Sequence, residues 1–237
     1  MHRRTFLKTL PAFAALVPTG PGSAEERSDP ARELRPIELP KPETDGGTSV
    51  LAALKERRTI RDLSDKKLPD QVLSNLLWAA FGVNRERGPR GGVGRTAASA
   101  SNSQEIDIYA VLAEGIYVYD AVPHRLVPVV AGDQRAKVLR RGRGGAAAKA
   151  PVNLVYVADI AKYAKAPFQE PGLRDPEIQK SYSNVAVGLI AGNVYLFAAS
   201  QGLGAWFHNC DKEALAKELK LRPEQRVLYA QTVGYPA

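Results

Sequence analysis

The chain has 237 residues, 44% of them hydrophobic and 24% charged, with a formal charge of +8 and a single cysteine. That length and apolar content support one enzyme-sized globular domain with a large core. The lone Cys210 excludes an intrachain disulfide, and the basic residues are too dispersed, with no accompanying motif, for nucleic acid to be the partner.

The first residues read as an address. Arg3-Arg4-Thr5-Phe6-Leu7-Lys8 precedes a modest apolar stretch over 9–17, and Gly22-Ser23-Ala24 offers small residues for cleavage. This pattern predicts a twin-arginine (Tat) export signal over 1–24 and a periplasmic mature protein. The apolar stretch is too short to span a bilayer, so no stable membrane anchor is expected. Arg3, Arg4 and Lys8 face no acid in that segment, and removing three positive charges from +8 leaves the mature chain near +5. Residues 25–47 read as a proline-rich tether or arm. Pro30, Pro36, Pro40 and Pro42 alternate with charges, and Gly46-Gly47 closes the run. Ile37 and Leu39 are the residues that could anchor it.

The organised domain is expected over 48–237. Val50, Leu51 and Leu54 have helical spacing, with Thr48 or Ser49 as N-cap. Pro69 opens a second helix whose apolar face is Val72, Leu73, Leu76, Leu77, Ala80 and Phe81, and Gly82 fits its end. Residues 86–94 form a Gly- and Arg-rich loop. Three strands over 106–112, 116–119 and 126–130 make a β-meander, and 152–158 is a further buried strand. Residues 182–200 are apolar nearly all round, which predicts a long buried central helix. A short helix over 213–219 and a last strand over 227–233 follow. The class is α+β: a mixed β-sheet flanked by helices around the central helix. No internal repeat is present.

Arg57-Arg58-Thr59-Ile60-Arg61 carries the strongest chemical signal. Three guanidinium forks in five residues match phosphate oxygens. Alone, the cluster reads better as a solvated basic face at a helix end. Two later segments change that balance: Ser99-Ala100-Ser101-Asn102-Ser103-Gln104, and Gly202-Leu203-Gly204-Ala205-Trp206-Phe207-His208-Asn209. In that order the three resemble the nitroreductase family of FMN-dependent oxidoreductases, and Gln231-Thr232-Val233-Gly234-Tyr235-Pro236 resembles the end of that family's last core strand. The resemblance covers about the last four fifths of the chain.

The resemblance implies the following. Arg57 would reach the phosphate or ribityl end of FMN, Thr59 the phosphate and Arg61 the pyrimidine edge of the ring, with Arg58 a further cofactor-binding match to the family's segment. Ser99, Asn102 and Gln104 match the family's Ser and Asn-x-Gln positions. Ala98 stands where Pro is common, and Glu105-Ile106 replaces Pro-Trp, a form associated with thiazole- and oxazole-forming dehydrogenases. His208 and Asn209 fall where the family directs backbone N–H groups toward flavin N5. No side chain is assigned as catalytic, because hydride exchange at N5 needs no general base. The family's usual C-terminal Lys or Arg has no counterpart, and Arg95 and Lys149 are candidates to replace it. A homodimer, a small-molecule substrate and NAD(P)H as a possible donor are also implied, although an exported enzyme would lack a ready supply of that donor. A non-catalytic flavin- or ligand-binding module and a basic, tethered interaction protein are the other function classes considered. Gly142-Arg143-Gly144-Gly145 follows no strand and is a poor dinucleotide fingerprint. His2, His124 and His208 have no metal-ligand spacing, so no metal is expected.

Overall fold

The computed structural model describes residues 34–88, 91–139 and 146–237. The expected export signal, the front of the arm and the Gly142–Gly145 run lie outside the described residues.

Seven strands form one sheet: β1 (Ile37–Glu38), β4 (Ile106–Val111), β5 (Gly115–Asp120), β6 (Arg125–Ala131), β7 (Val152–Asp159), β8 (Gly204–His208) and β9 (Gln225–Gly234). Their spatial order is β1-β6-β5-β4-β7-β9-β8. A separate hairpin pairs β2 (Val83–Arg85) with β3 (Gly94–Arg95). Every ladder is antiparallel, and the parallel element is an isolated bridge between Thr59 and Ala205. The expected β-meander is β4-β5-β6.

β7 sits centrally and all eight of its residues are buried, as the unbroken apolar run 154–158 requires of a strand covered on both faces. On one face α1 (Val50–Glu56), α2 (Asp70–Phe81) and α5 (Pro176–Ser200) gather. Leu76, Leu77 and Ile190 there meet Ile108, Leu154 and Tyr156. On the other, α3 (Arg135–Val138) and α6 (Lys212–Glu218) bring Val138 and Leu215 against Val155 and Val157. Each fully buried Leu or Ile contributes about 1.5–3 kcal/mol. Tyr156 and Gln231 tie the sheet to α5: Tyr156 Oη donates to Gln231 Oε1 at 2.6 Å, and Gln231 Nε2 donates to Ala191 O at 3.3 Å. The remaining short helix is α4 (Ala146–Lys149).

Several local expectations change. α5 starts at Pro176 rather than residue 182, because Asp175 Oδ1 caps the Glu177 and Ile178 N–H groups and Pro176 takes the first position. In one chain α5 is buried on one face only. Val185 and Leu189 are 59% and 46% exposed, and a Cβ at Gly188 or Gly192 would meet open space. Val50, Leu51 and Leu54 of α1 are exposed too, although Ser49 Oγ caps that helix as expected. Gly82 ends α2 with φ −72°, not the left-handed turn its identity suggested. It is glycine because a Cβ would collide with Trp78. The back of the arm is docked on its own chain: Ile37 pairs with Leu126, Ser74 Oγ donates to Pro40 O at 2.6 Å, and Glu43 N donates to Asn75 Oδ1 at 2.8 Å. Ile37 and Leu39 pack on the main core of their own chain.

Candidate flavin-type active site

The segment after α1 cannot continue as helix. Arg57 ends it with φ −58° and ψ 119°, and the chain then runs beside β8. Thr59 bridges Ala205, and Ile60 N–H donates to Ala205 O at 3.0 Å. Gly204 permits this approach, since a Cβ there would meet Leu63 and Ile60. Two of the three motifs are therefore joined directly. Arg57 lies over the ring of Tyr195, 5.4 Å from its centroid, and Arg61 lies over Trp206 at 5.6 Å. Tyr195 Oη accepts Phe207 N–H at 2.9 Å and lies 3.0 Å from Thr59 Oγ1. Arg57, Arg58, Thr59 and Arg61 are exposed. None of the three arginines has an ion pair with a carboxylate among the described residues. Such a donor set fits a phosphate-bearing cofactor.

Beyond the strip, Leu63 lines a cleft of about 720 Å³ together with Asp65, Asp133, Arg135, Ala136, Ala148 and Lys149. It falls in the range of about 300–1,000 Å³ usual for ligand sites. Trp206, Leu139 and Ala148 pack together at its edge. Arg135 grips both oxygens of Asp133 at 2.9 and 2.7 Å and donates to Lys149 O at 3.0 Å, which pins α3 to α4. That hydrogen-bonded pairing lowers the Asp133 pKa and raises that of Arg135. Of the two candidate replacements for a C-terminal cation, Lys149 lines this cleft and Arg95 does not.

The second motif lies elsewhere, along a cleft of about 480 Å³ lined in part by Ser99, Ser101 and Asn102. Ser101, Asn102 and Gln104 have φ of 51°, 54° and 50°. Left-handed backbone costs an ordinary residue about 1–2 kcal/mol, and such residues cluster at functional sites. The turn is held by its own side chains. Ser99 Oγ accepts Gln104 N–H at 3.0 Å, while Gln104 Nε2 donates to Val93 O at 2.8 Å and Asn102 Oδ1 at 2.9 Å. Arg95 Nε donates to Gln104 Oε1 at 2.7 Å. The Gln104 amide is thus committed within the protein, so its part is to hold the turn. Glu105, buried next door, accepts Ser103 O–H at 2.7 Å.

His208 points into the sheet. Its Nε2 lies 2.9 Å from Thr232 Oγ1, and Thr232 lies 2.6 Å from Asn153 Oδ1. At 7% exposure the imidazole is buried and engaged within the sheet. Asn209 is exposed, with its side-chain oxygen accepting Cys210 N–H at 3.1 Å. The sequence reading missed Tyr195, Thr232 and Arg95 as organisers. Tyr195 carried a signal, being a polar-tipped ring in an apolar helix that had to find a partner.

A family model described as the nitroreductase family matches residues 54–235. The chain belongs to the nitroreductase family. It is 31% identical over 158 residues to "Putative nitroreductase MJ1384" of Methanocaldococcus jannaschii, covering 63% of this chain and 72% of that protein. Among solved structures of the family, a putative nitroreductase from Ralstonia eutropha JMP134 superposes with a TM-score of 0.75 at 34% identity, over 86% of this chain and 90% of that one. The E. coli microcin synthetase McbBCD complex with truncated pro-MccB17 bound contains a chain with a TM-score of 0.64 at 19% identity, over 94% of this chain and 85% of that one. This last likeness is one of fold. Family membership makes the protein a nitroreductase-type oxidoreductase.

Proposed function

We propose that the protein is an FMN-dependent oxidoreductase that exchanges hydride with small organic substrates by a ping-pong scheme. The observation that carries this reading is the arginine strip laid along β8, with three guanidinium groups and no carboxylate partner among the described residues. Arg57 and Thr59 would hold the phosphate and ribityl end and Arg61 the pyrimidine edge, with Arg58 beside them in the same segment. The backbone of 204–209 would flank the ring. When bound, FMN supplies the N5 hydride acceptor and donor.

None of Arg57, Arg58, Thr59 and Arg61 lines the cleft onto which Ser99 and Asn102 open, and in this reading a second copy of the chain supplies that turn to complete each site. The exposed Val185 and Leu189, and on α1 Val50, Leu51 and Leu54, are apolar groups such a partner would cover. We further propose Tat export directed by Arg3 and Arg4. Outside the inner membrane NAD(P)H is scarce, which favours a substrate oxidised directly, or another donor.

The deciding experiment measures flavin in the purified protein and in an Arg57→Ala/Arg61→Ala variant. Loss of two charge-assisted contacts, each of about 1.5–3 kcal/mol, should strip the cofactor. A folded double variant retaining stoichiometric FMN would refute the assignment. Anaerobic reduction against a panel of donors then separates an enzyme from a non-catalytic flavin module.

A further inference from the structure

We infer that the 480 Å³ cleft beside the 99–104 turn binds a small organic oxyanion through Arg85 and Arg95, which makes carboxylate-bearing ring compounds the substrate class. The assignment deepens the proposed oxidoreductase reading and rests on it only for what happens to the molecule once bound.

Arg95 carries the first half of the case. Its Nε donates to Gln104 Oε1 at 2.7 Å and its Nη1 to Phe81 O at 3.1 Å, and the guanidinium lies 5.2 Å from the Phe81 ring centroid. All three partners are neutral. Burial lowers its pKa, so the fold holds this cation against a desolvation penalty. Buried charges are ordinarily paired. The acids that act on it are engaged elsewhere: Asp107 with Lys162 at 2.5 Å, and Asp120 with Arg125 at 3.7 Å. An anion in the adjoining cleft would complete the pairing.

Arg85 supplies the second half. It faces Gly94 across the β2–β3 hairpin, and its guanidinium lies so close that a Cβ on Gly94 would sit 2.6 Å from Nε and Nη2. The missing Cβ leaves room for the guanidinium against the hairpin backbone. Arg85 has no ion pair among the described residues, and both arginines line the cleft. No Asp or Glu lines it among those residues, whereas Ala97, Ala98 and Phe168 provide apolar wall. Ser99 Oγ accepts Gln104 N–H, which leaves its own proton to donate. Two planar forks, a hydroxyl donor and an apolar wall fit a carboxylate or phosphate on a ring-sized body.

The test is calorimetric titration of the full protein with benzoate and with benzyl alcohol, which has similar size and no charge. It is repeated on Arg85→Gln, Arg85→Lys and Gly94→Ala, and flavin content is recorded for each sample. Benzoate should bind at least about tenfold more tightly than the alcohol, as one charge-assisted contact requires. Arg85→Gln and Gly94→Ala should remove that preference, and Arg85→Lys should restore part of it. Inorganic phosphate that displaces benzoate below the benzoate dissociation constant would mark a phosphate ester as the natural source; failure to displace marks a carboxylate. Equal binding of the two probes, no binding of either, or benzoate binding unchanged in both Arg85→Gln and Gly94→Ala overturns the assignment. A colourless protein that still discriminates benzoate leaves this site standing and sinks the flavin reading; a yellow protein without discrimination does the reverse.

Discussion

Tyr195 Oη and Thr59 Oγ1 lie 3.0 Å apart, and the same phenol oxygen accepts Phe207 N–H at 2.9 Å. Either hydroxyl can donate across the Thr59–Tyr195 contact; where Tyr195 donates, Thr59 keeps its own proton for a ligand. One side chain of α5 thus holds the arginine strip, orients its hydroxyl and ties both to β8. The Tyr195→Phe variant removes the hydroxyl and keeps the ring beneath Arg57. Each lost hydrogen bond is worth about 0.5–1.5 kcal/mol, so FMN affinity should fall several-fold. Fluorescence titration against wild type checks this, and an unchanged dissociation constant would show that Thr59 needs no such support.

A charge on the exposed face of α5 tests the proposed dimer. Leu189 is 46% exposed and Gly188 beside it has open space, so Leu189→Asp costs the single chain little. At a subunit interface the same change buries an unpaired carboxylate, which is strongly unfavourable. Light scattering should report a monomer, with flavin lost at the same time. A variant that remains a flavin-loaded dimer places the interface elsewhere.

What the sequence made legible was local. The helical spacing of Leu73, Leu76, Leu77 and Ala80 and the apolar run 154–158 report burial directly. The start of α5 was hidden because its first turns, Pro176 to Ser181, are polar, and β8 was hidden because five residues containing Trp206 and His208 read as a pocket motif. The arginine cluster was visible, but its seat along Ala205 is a tertiary fact. So are the left-handed Ser101, Asn102 and Gln104, whose small and polar identities would also suit an ordinary loop. Cys210 shows the same limit: only the fold reveals that burial raises its pKa to about 11, leaving it a poor nucleophile.

Export can be tested without touching the fold. Arg3 and Arg4 replaced together by Lys keep their charge and lose the guanidinium forks that a twin-arginine receptor reads. The precursor should then accumulate in the cytoplasm and still carry flavin. Undiminished appearance of the processed variant in the periplasm would rule out this route and remove the reason to doubt NAD(P)H as donor.

His124 gives the arm a pH-dependent clasp. Ser74 Oγ donates its single proton to Pro40 O at 2.6 Å, so His124 Nε2, 2.7 Å from that oxygen, must carry a hydrogen. Nδ1 then accepts from Tyr119 Oη at 2.8 Å. Burial pushes the Tyr119 pKa up, which keeps that phenol a donor. Burial also lowers the His124 pKa, against an opposing effect of the Pro40 carbonyl. Asp120 and Arg125 flank the site as a half-exposed ion pair at 3.7 Å. Because the folded-state pKa lies below the unfolded value of about 6.5, the unfolded chain binds more protons between the two. The contribution to stability is therefore complete above about pH 6.5 and is lost as pH falls through the folded value. Asn tolerates the φ of 54° at this position, so His124→Asn is the variant to compare. Its melting temperature should fall less than that of wild type between about pH 7.5 and pH 5. Parallel acid slopes for the two proteins would show that another group controls this range.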